Sequence, residues 1–501
     1  MLDKIKNIFV ASNVHNKFRI KTKTKFKFFS GSTGYSLSSG LFAAWLTNFY
    51  IKIVKIDFAF WALAWILYMG WNAINDPLIG ALGDRTQSRH GRRIPWLRVA
   101  TPLIGLSLVF LFFPPLNLDP NLQSSQWIYF SWLFAGLMLY DLFYTIVGIS
   151  ENSLVAELTI DPVERANTNF FWSLGIGLGS AATFVIPFLF IQDNETIPYE
   201  INQPIIQTII IIFAILGSVF LAIMAFGVKE RRFIQAKKPQ MGLVESIKYT
   251  LRNRGFIMYA GLFFCITFFY TITNSQISFF VQDVLKVDKN DILGYLPIIA
   301  FIGSSLIGFP VGMALNMRFG GKRSLIYLFI IVISGLFMLV FSFDIILAII
   351  ALFIVGFGYA GINLIFPTLM ADVIDKDELE TGWRREGAYF GSAAFFTKPA
   401  QSIAQGMIAL VFFVTNYDQD ATVQSLPAQI GVVLTISVIP AIFLMLGLIF
   451  IKKFPIDSST EEYKVMKKKV EQLHDEKLAQ LKKELDSKTT GTNHKDDSLE
   501  K

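Results

Sequence analysis

Long apolar stretches, each the length of a bilayer-crossing helix, succeed one another along almost the whole chain and leave it one kind of fold. A hydrocarbon core about 30 Å thick takes about 20 helical residues. Inside it only helices and closed barrels satisfy every backbone donor and acceptor. Twelve segments fit, at 30–53, 58–83, 96–116, 127–158, 167–191 and 204–228, then 256–282, 292–317, 324–343, 345–372, 386–415 and 426–451. The expected fold class is an all-α membrane protein with twelve transmembrane helices. Composition agrees: 53% of the 501 residues are hydrophobic, 49 of them Phe, and only 17% are charged.

The longest polar interruption, 229–255, follows the sixth segment and divides the helices six and six. This gives five regions: a basic arm (1–29), a first half (30–228), a linker (229–255), a second half (256–451) and a charged tail (452–501). The halves echo each other. Gly80-Ala-Leu-Gly-Asp84, leading into Arg-rich sequence, has a weaker counterpart in Gly312-Met-Ala-Leu-Asn316, followed by Arg318, Lys322 and Arg323. Two six-helix repeats around a substrate path define the major facilitator arrangement. The tail is expected to form a solvated, weakly amphipathic helix over 457–485 and then to lose order.

Lys and Arg concentrate in the loop after the second segment and in the linker, whereas the loops after the third and fifth segments hold none. By the positive-inside rule both termini are cytoplasmic, and a cell-membrane location is expected. The same bias accounts for the net charge of +7 without nucleic acid. Without a sustained apolar core before Phe28, the arm is not expected to be a cleaved signal. A single cysteine, Cys265, permits no intramolecular disulfide. No metal cluster, nucleophile or phosphate loop is evident, so neither an enzyme nor a bound cofactor is expected.

Charge inside a bilayer costs at least about 2.5 kcal/mol per residue, which makes each intramembrane ionisable group a candidate site. Tyr68, Asn72, Asn75 and Asp76 fall on one face of the second segment, beside the helix breaker Pro77. Their oxygens suit a hard cation, and a carboxylate there equally suits a proton. The plainer alternative is that Asp76 only pairs with a basic neighbour. The fourth segment presents Asp141, Tyr144, Gly148, Glu151 and Asn152 on one side; the fifth offers Asn169 and Trp172. Lys398 lies about 18 Å into the eleventh segment at 1.5 Å per residue. It requires a carboxylate, with Asp76 or Glu151 as candidates, or contact with water.

At the cytoplasmic ends, Asp84, Arg85, Arg92 and Arg93, then Asp161 and Arg165, then Arg384, Arg385 and Glu386 can cross-pair. Pairs made in one state and broken in another act as a gate. Topology signalling and lipid headgroup contact is the bland alternative.

Three stretches, N-D-P-L-I-G-A-L-G-D-R-T-Q-S-R-H-G-R-R-I-P-W, A-E-L-T-I-D-P-V-E-R-A-N-T and A-D-V-I-D-K-D-E-L-E-T-G-W-R-R-E-G, resemble the glycoside-pentoside-hexuronide cation symporters, the family of the melibiose permease. The resemblance covers residues 30 to 455. It implies a major facilitator fold, alternating access and sugar uptake driven by Na⁺, H⁺ or Li⁺. The family's helix 2 carries two cation-binding acids one turn apart; here the second is Asp76 and the first position is Asn72. Its helix 11 lysine matches Lys398. Its sugar-binding acids of helices 1 and 4 fall near Ser36 and at Gly148, and its helix 5 arginine at Asn169. Those three determinants are therefore absent, with Glu151 one turn from Gly148 as a replacement.

The expected function is cation-coupled (H⁺ or Na⁺) symport of a sugar or glycoside. Asp76, Asn72 and Asn75 are expected to bind the cation. Ser36, Tyr144, Glu151, Asn152, Asn169, Trp172 and Lys398 are expected to line the substrate cavity. The expected partners are the solute, the coupling cation and membrane lipid, with the chain a monomer. A lysolipid or other amphiphile transporter of the same superfamily is the alternative. A non-transporting sensor or scaffold is the alternative from another class.

Overall fold

The structure, a computed structural model, describes residues 20–86, 88–158, 162–190, 203–229, 243–286, 296–382, 386–419, 421, 423–470, 472–473 and 476. Among the described residues, twelve long helices follow one another in the expected order. The first half holds α1 (Thr22–Asn48), α2 (Phe58–Arg85), α3 (Ile94–Leu111), α4 (Gln123–Leu158), α5 (Pro162–Phe190) and α6 (Gln203–Gly227). After a short amphipathic helix, Leu243–Arg252, come α7 (Arg254–Phe279), α8 (Leu296–Phe319), α9 (Gly321–Leu339), α10 (Ile345–Thr381) and α11 (Glu386–Val414). The last, α12 (Leu426–Lys453), contains a π-helical turn at Leu434–Val438.

Eight of the twelve, among the described residues, are long and apolar enough to cross a membrane. The four that fall short are α1, α2, α5 and α11. Of these, α1, α2 and α11 carry Asn48, Asn72, Asn75, Asp76 and Lys398, polar groups turned away from lipid.

Of the boundaries that differ from expectation, three have identifiable reasons. α1 starts at Thr22, eight residues before 30. Its basic first turns stay helical and are tied down where Lys27 Nζ donates to the carbonyl of Gly227, one of the orphan acceptors ending α6, at 2.6 Å. α3 stops at Leu111 rather than 116, ahead of Pro114 and Pro115. α10 continues to Thr381, nine residues beyond 372, and ends at Gly382 in the left-handed conformation (φ 76°).

Small residues set the closest approaches, as expected where lipid supplies no hydrophobic drive between helices. Gly312 on α8 meets Gly361 on α10, where a β-carbon at Gly312 would lie 2.7 Å from Gly361 Cα; Gly308 packs on Phe357 and Ala360 of α10, and Gly356 of α10 on Phe301 and Ser304 of α8. α5 uses Gly175 and Gly179 against Ser32, Thr33 and Ser36 of α1, and Gly34 meets the backbone of α6 at Gly217 and Leu221.

The helix ends away from the termini are built by matched devices. α1 and α7 each pass into a five-residue π-helical turn, Phe49–Ile53 and Phe280–Val284. Two residues beyond each turn stands a lysine in the left-handed region, Lys55 (φ 57°) and Lys286 (φ 48°). The fourth residue of one turn, Lys52, pairs at 2.8 Å with the fourth residue of the other, Asp283. Tyr417 OH donates to the second oxygen of Asp283 at 2.7 Å. Above them Gln405 ties three helices together, accepting from Thr47 (3.0 Å) and donating to Ser275 (2.8 Å). The two halves are thus fastened to each other at this end.

At the other end the tail is docked rather than simply solvated. Ser458 Oγ accepts the Gly321 amide at 2.8 Å, and Lys322 Nζ donates to the Phe454 carbonyl at 2.6 Å. Residues 461–470 form a helix whose Lys467 reaches Asp372 at 2.8 Å and Asp375 at 2.7 Å, while Tyr463 OH donates to Asp372 at 2.9 Å. Burial opposes the charged form of Lys467, but the two aspartates outweigh it and hold the ammonium above the usual lysine range. Burial first, and then Asp372, push the Tyr463 phenol up to about 12. Lys467→Glu is expected to release this helix and cost about 1–2 kcal/mol, below the full loss of a buried ion pair because Lys467 is 35% exposed. Limited proteolysis reads it: the variant should be cut after residue 456 several times faster, and unchanged cutting would contradict the docking.

Candidate functional site

Near the middle of the molecule, α2, α4 and α11 bring one lysine against two carboxylates. Lys398, twelve residues into α11 and followed by Pro399, donates to Asp76 Oδ1 at 2.8 Å and to Asp141 Oδ1 at 2.8 Å. Asn72 Oδ1 lies 3.0 Å and Thr145 Oγ 3.2 Å from the same nitrogen. The helix periodicity explains the convergence: residues 72 and 76 on α2 are one turn apart, as are 141 and 145 on α4.

The carboxylates are held by further donors. Asn75 Nδ2 donates to Asp141 Oδ2 (2.8 Å) and Tyr68 OH to Asp141 Oδ1 (3.0 Å); Thr145 Oγ donates to Asp76 Oδ1 (2.9 Å). Asp141 is 1% exposed and Asn75 fully buried, whereas the Lys398 and Asp76 side chains are each 12% exposed. With all three groups ionised the cluster carries two negative charges against one positive. A buried imbalance of that kind calls for one more cation.

An aromatic ladder leads away from this cluster. Tyr68 meets Trp65 edge-on, Trp65 meets Phe42, and Phe42, Tyr140, Tyr144 and Tyr35 continue as near-parallel rings, the last pair 4.8 Å apart. The second half contributes Tyr270 stacked on Tyr359 at 5.2 Å. Gly148 sits beneath the ladder's end, where an added β-carbon would lie 3.0 Å from Tyr35 OH. The space at that position is filled by a phenol from α1.

The remaining expected site residues fall in several places. Glu151 is 1% exposed, one oxygen accepting Trp172 Nε1 at 3.1 Å and the other without a hydrogen bond among the described residues. It does not reach Lys398; the second carboxylate there is Asp141. Ser36 is drawn into helix packing, its hydroxyl bonded to the Ile176 carbonyl (2.8 Å) and to Ser180 (2.9 Å) of α5. Asn152 and Asn169, and of the gate residues Asp84, Arg85, Asp161, Arg165, Arg384, Arg385 and Glu386, have side chains outside the described residues. Arg93 is buried over Gly83 at the end of α2, and Arg92 lies half-buried beside it in the chain. Nearby on α10, Asp372 takes Lys467 of the tail.

Sequence reasoning placed Asp141 on a polar stripe but gave it no role. The missing signal was available as a deficit: Asn72 leaves the helix 2 site one acid short, and Asp141 is an unassigned acid deep in a segment of the same half.

Comparison with known proteins adds the relationship. Residues 27–458 match the family model described as MFS/sugar transport protein. The uncharacterized symporter YjmB of Bacillus subtilis is 25% identical over 446 residues, spanning 88% of this chain and 93% of that protein. The sodium-dependent lysophosphatidylcholine symporter 1-A of Danio rerio is 22% identical, spanning 92% and 91%. Among solved structures, a D-xylose-proton symporter superposes with a TM-score of 0.64 at 15% identity, covering 87% of this chain and 98% of that one, which bears on the fold alone. The chain is a transporter rather than an enzyme, and it belongs to the MFS/sugar transport protein family, the melibiose permease-like cation symporters of the major facilitator superfamily.

Proposed function

We propose that the protein carries a sugar or glycoside across the cell membrane by cation symport, with Asp76 as the coupling carboxylate. The observation that carries this reading is the Lys398 ammonium shared between Asp76 and Asp141. Lys398 belongs to the second half and both acids to the first, so whatever competes for those acids also alters how the halves are joined. Asn72 and Asn75 assist at the cation. Tyr144, Glu151, Asn152, Asn169, Trp172 and Lys398 are the solute-binding residues of this reading, Glu151 through the oxygen left without a hydrogen bond among the described residues and Trp172 through a ring that suits the apolar side of a sugar. With both termini cytoplasmic, the Lys52–Asp283 end faces outward and is closed, and the arginine-rich ends form the inner gate.

The test begins with purified protein in liposomes, screened against sugars, glycosides and lysophosphatidylcholine by thermal shift, since a ligand of the folded state raises its melting temperature. With the solute in hand, Asp76→Asn is expected to lower cation-driven accumulation by about 100-fold or more, as loss of a coupling energy of about 2.7 kcal/mol would. Solute exchange without a gradient should persist. Full cation-driven uptake by the variant would defeat the assignment.

A lysolipid reading draws on a specific observation too. The acid positions of helices 1 and 4 are occupied by Ser36 and Gly148, and the resulting wall is aromatic. Stabilisation by lysophosphatidylcholine and by no sugar in the same screen would select it.

A further inference from the structure

The cation site of the resembling family draws two acids from helix 2, yet this chain offers one there. Resting on the cation-coupling reading above, we propose that Asp141 of α4 is the second cation-binding carboxylate, relocated from helix 2, and that the completed site takes a monovalent alkali cation such as Na⁺.

The geometry places Asp141 where the missing acid would act. Its Oδ1 and that of Asp76 each lie 2.8 Å from Lys398 Nζ, and Asn72 Oδ1 lies 3.0 Å from the same atom. An acid at position 72 and the acid at 141 therefore converge on one point. That point already holds a cation, the lysine's own ammonium, ringed by four oxygens between 2.8 and 3.2 Å.

One orphaned atom points to a cation beyond the lysine. Asn75 is fully buried and gives Nδ2 to Asp141, yet its carbonyl Oδ1, the other arm of the same amide, has no hydrogen bond among the described residues. A buried acceptor left open is costly unless something occupies it. Asn72, 3% exposed, gives Oδ1 to the lysine, so its acceptor arm faces the same point. The oxygens gathered here, from Asp76, Asp141, Asn72, Asn75, Thr145 and Tyr68, are hard ligands suited to an alkali or alkaline-earth ion. Charge chooses between these. Two carboxylates and one ammonium leave a single negative charge, which a monovalent ion neutralises and a divalent ion would overshoot inside the bilayer.

The consequence for transport lies in which half owns which group. The acids and amides stand on the first half, and the competing ammonium stands on the second. An entering Na⁺ shares or takes the oxygens that hold Lys398 and so loosens a tie between the halves near the centre, while the Lys52–Asp283 pair acts at the closed end.

The test uses full-length protein in detergent and measures ²²Na⁺ equilibrium binding, with melting temperature in NaCl against choline chloride as a second readout. Wild type should bind Na⁺ saturably and gain stability from it. Asp141→Asn should weaken Na⁺ binding about 10–100-fold, since even an outer partner of a metal site commonly costs that much. Adding Asn72→Asp to that variant returns the second acid to helix 2 and should restore affinity to within about threefold, under 1 kcal/mol. Asp141→Asn binding Na⁺ like wild type overturns the proposal, as does a double variant that fails to fold or folds without Na⁺ affinity. Should Asp141→Asn alone fail to fold, the double variant decides. If wild type binds no Na⁺ but accumulates solute on a proton gradient, this inference falls while the coupling reading stands; if neither cation acts, both fall.

Discussion

Lys398→Met is expected to be among the most damaging single substitutions in the protein, abolishing concentrative uptake and destabilising the fold by about 3–5 kcal/mol, the usual cost of stripping one partner from a buried ion pair. Methionine nearly preserves the volume, so packing alone predicts little change. The loss comes from Asp76 and Asp141, left 12% and 1% exposed with no countercharge at hydrogen-bonding distance among the described residues. Thermal unfolding of the detergent-solubilised variant, beside uptake by proteoliposomes, measures both effects. A telling control is Lys398→Met combined with Asp141→Asn. Neutralising the more deeply buried acid should recover much of the stability and little of the transport. A Lys398→Met protein that melts with wild type would mean the two acids are accommodated in some other way, and the site would need reassignment.

The second large effect is purely steric. Gly356→Val is expected to prevent the α8–α10 contact from forming and to cost at least about 3 kcal/mol, the upper range for overpacking. A β-carbon there would run into the carbonyl oxygen of Phe301 and lie 2.5 Å from Ser304 Oγ, and backbone of a packed helix cannot swing aside as a side chain would. Gly406→Ala on α11 is the matched control. Its β-carbon meets nothing within 4 Å, so it should be neutral or gain up to about 1 kcal/mol from helix propensity. Monodispersity after size exclusion, followed by melting temperature, separates the two; equal behaviour of both variants would contradict the tight α8–α10 interface.

Much of the fold could be read along the chain because a bilayer forces a one-dimensional signal. Each crossing must be a helix of set length, and the polar linker marks the division into halves. The ends were less legible where a distant partner decided them. Thr22–Lys27 is helical, and Gly227, some two hundred residues away, accepts from Lys27. The overrun of α10 to Thr381 likewise answers to Lys467 and Tyr463 in the tail. In the site, α2 periodicity grouped Tyr68, Asn72, Asn75 and Asp76 correctly on one face, and Lys398 announced itself by its cost. Choosing its partner was beyond periodicity. Glu151 and Asp141 lie on the same stripe of α4, and only the depth at which α4 crosses α2 and α11 brings one of them within 2.8 Å of the ammonium. Tyr35 filling the space over Gly148 was hidden for the same reason, since a phenol on α1 carries no mark of what it covers on α4.

The matched endings of α1 and α7 restrict what this molecule could be assembled from. Lys52 and Asp283 occupy the same rung of two equivalent turns, so each half offers its partner the opposite sign at one address. Two first halves facing one another across that seam would set ammonium against ammonium, and two second halves carboxylate against carboxylate, each with under about a tenth of the side chain in contact with solvent to dilute the repulsion. The seam therefore works as a mating key. A protein whose halves are built alike admits one pairing, first with second, and separately produced halves should recognise each other in preference to themselves.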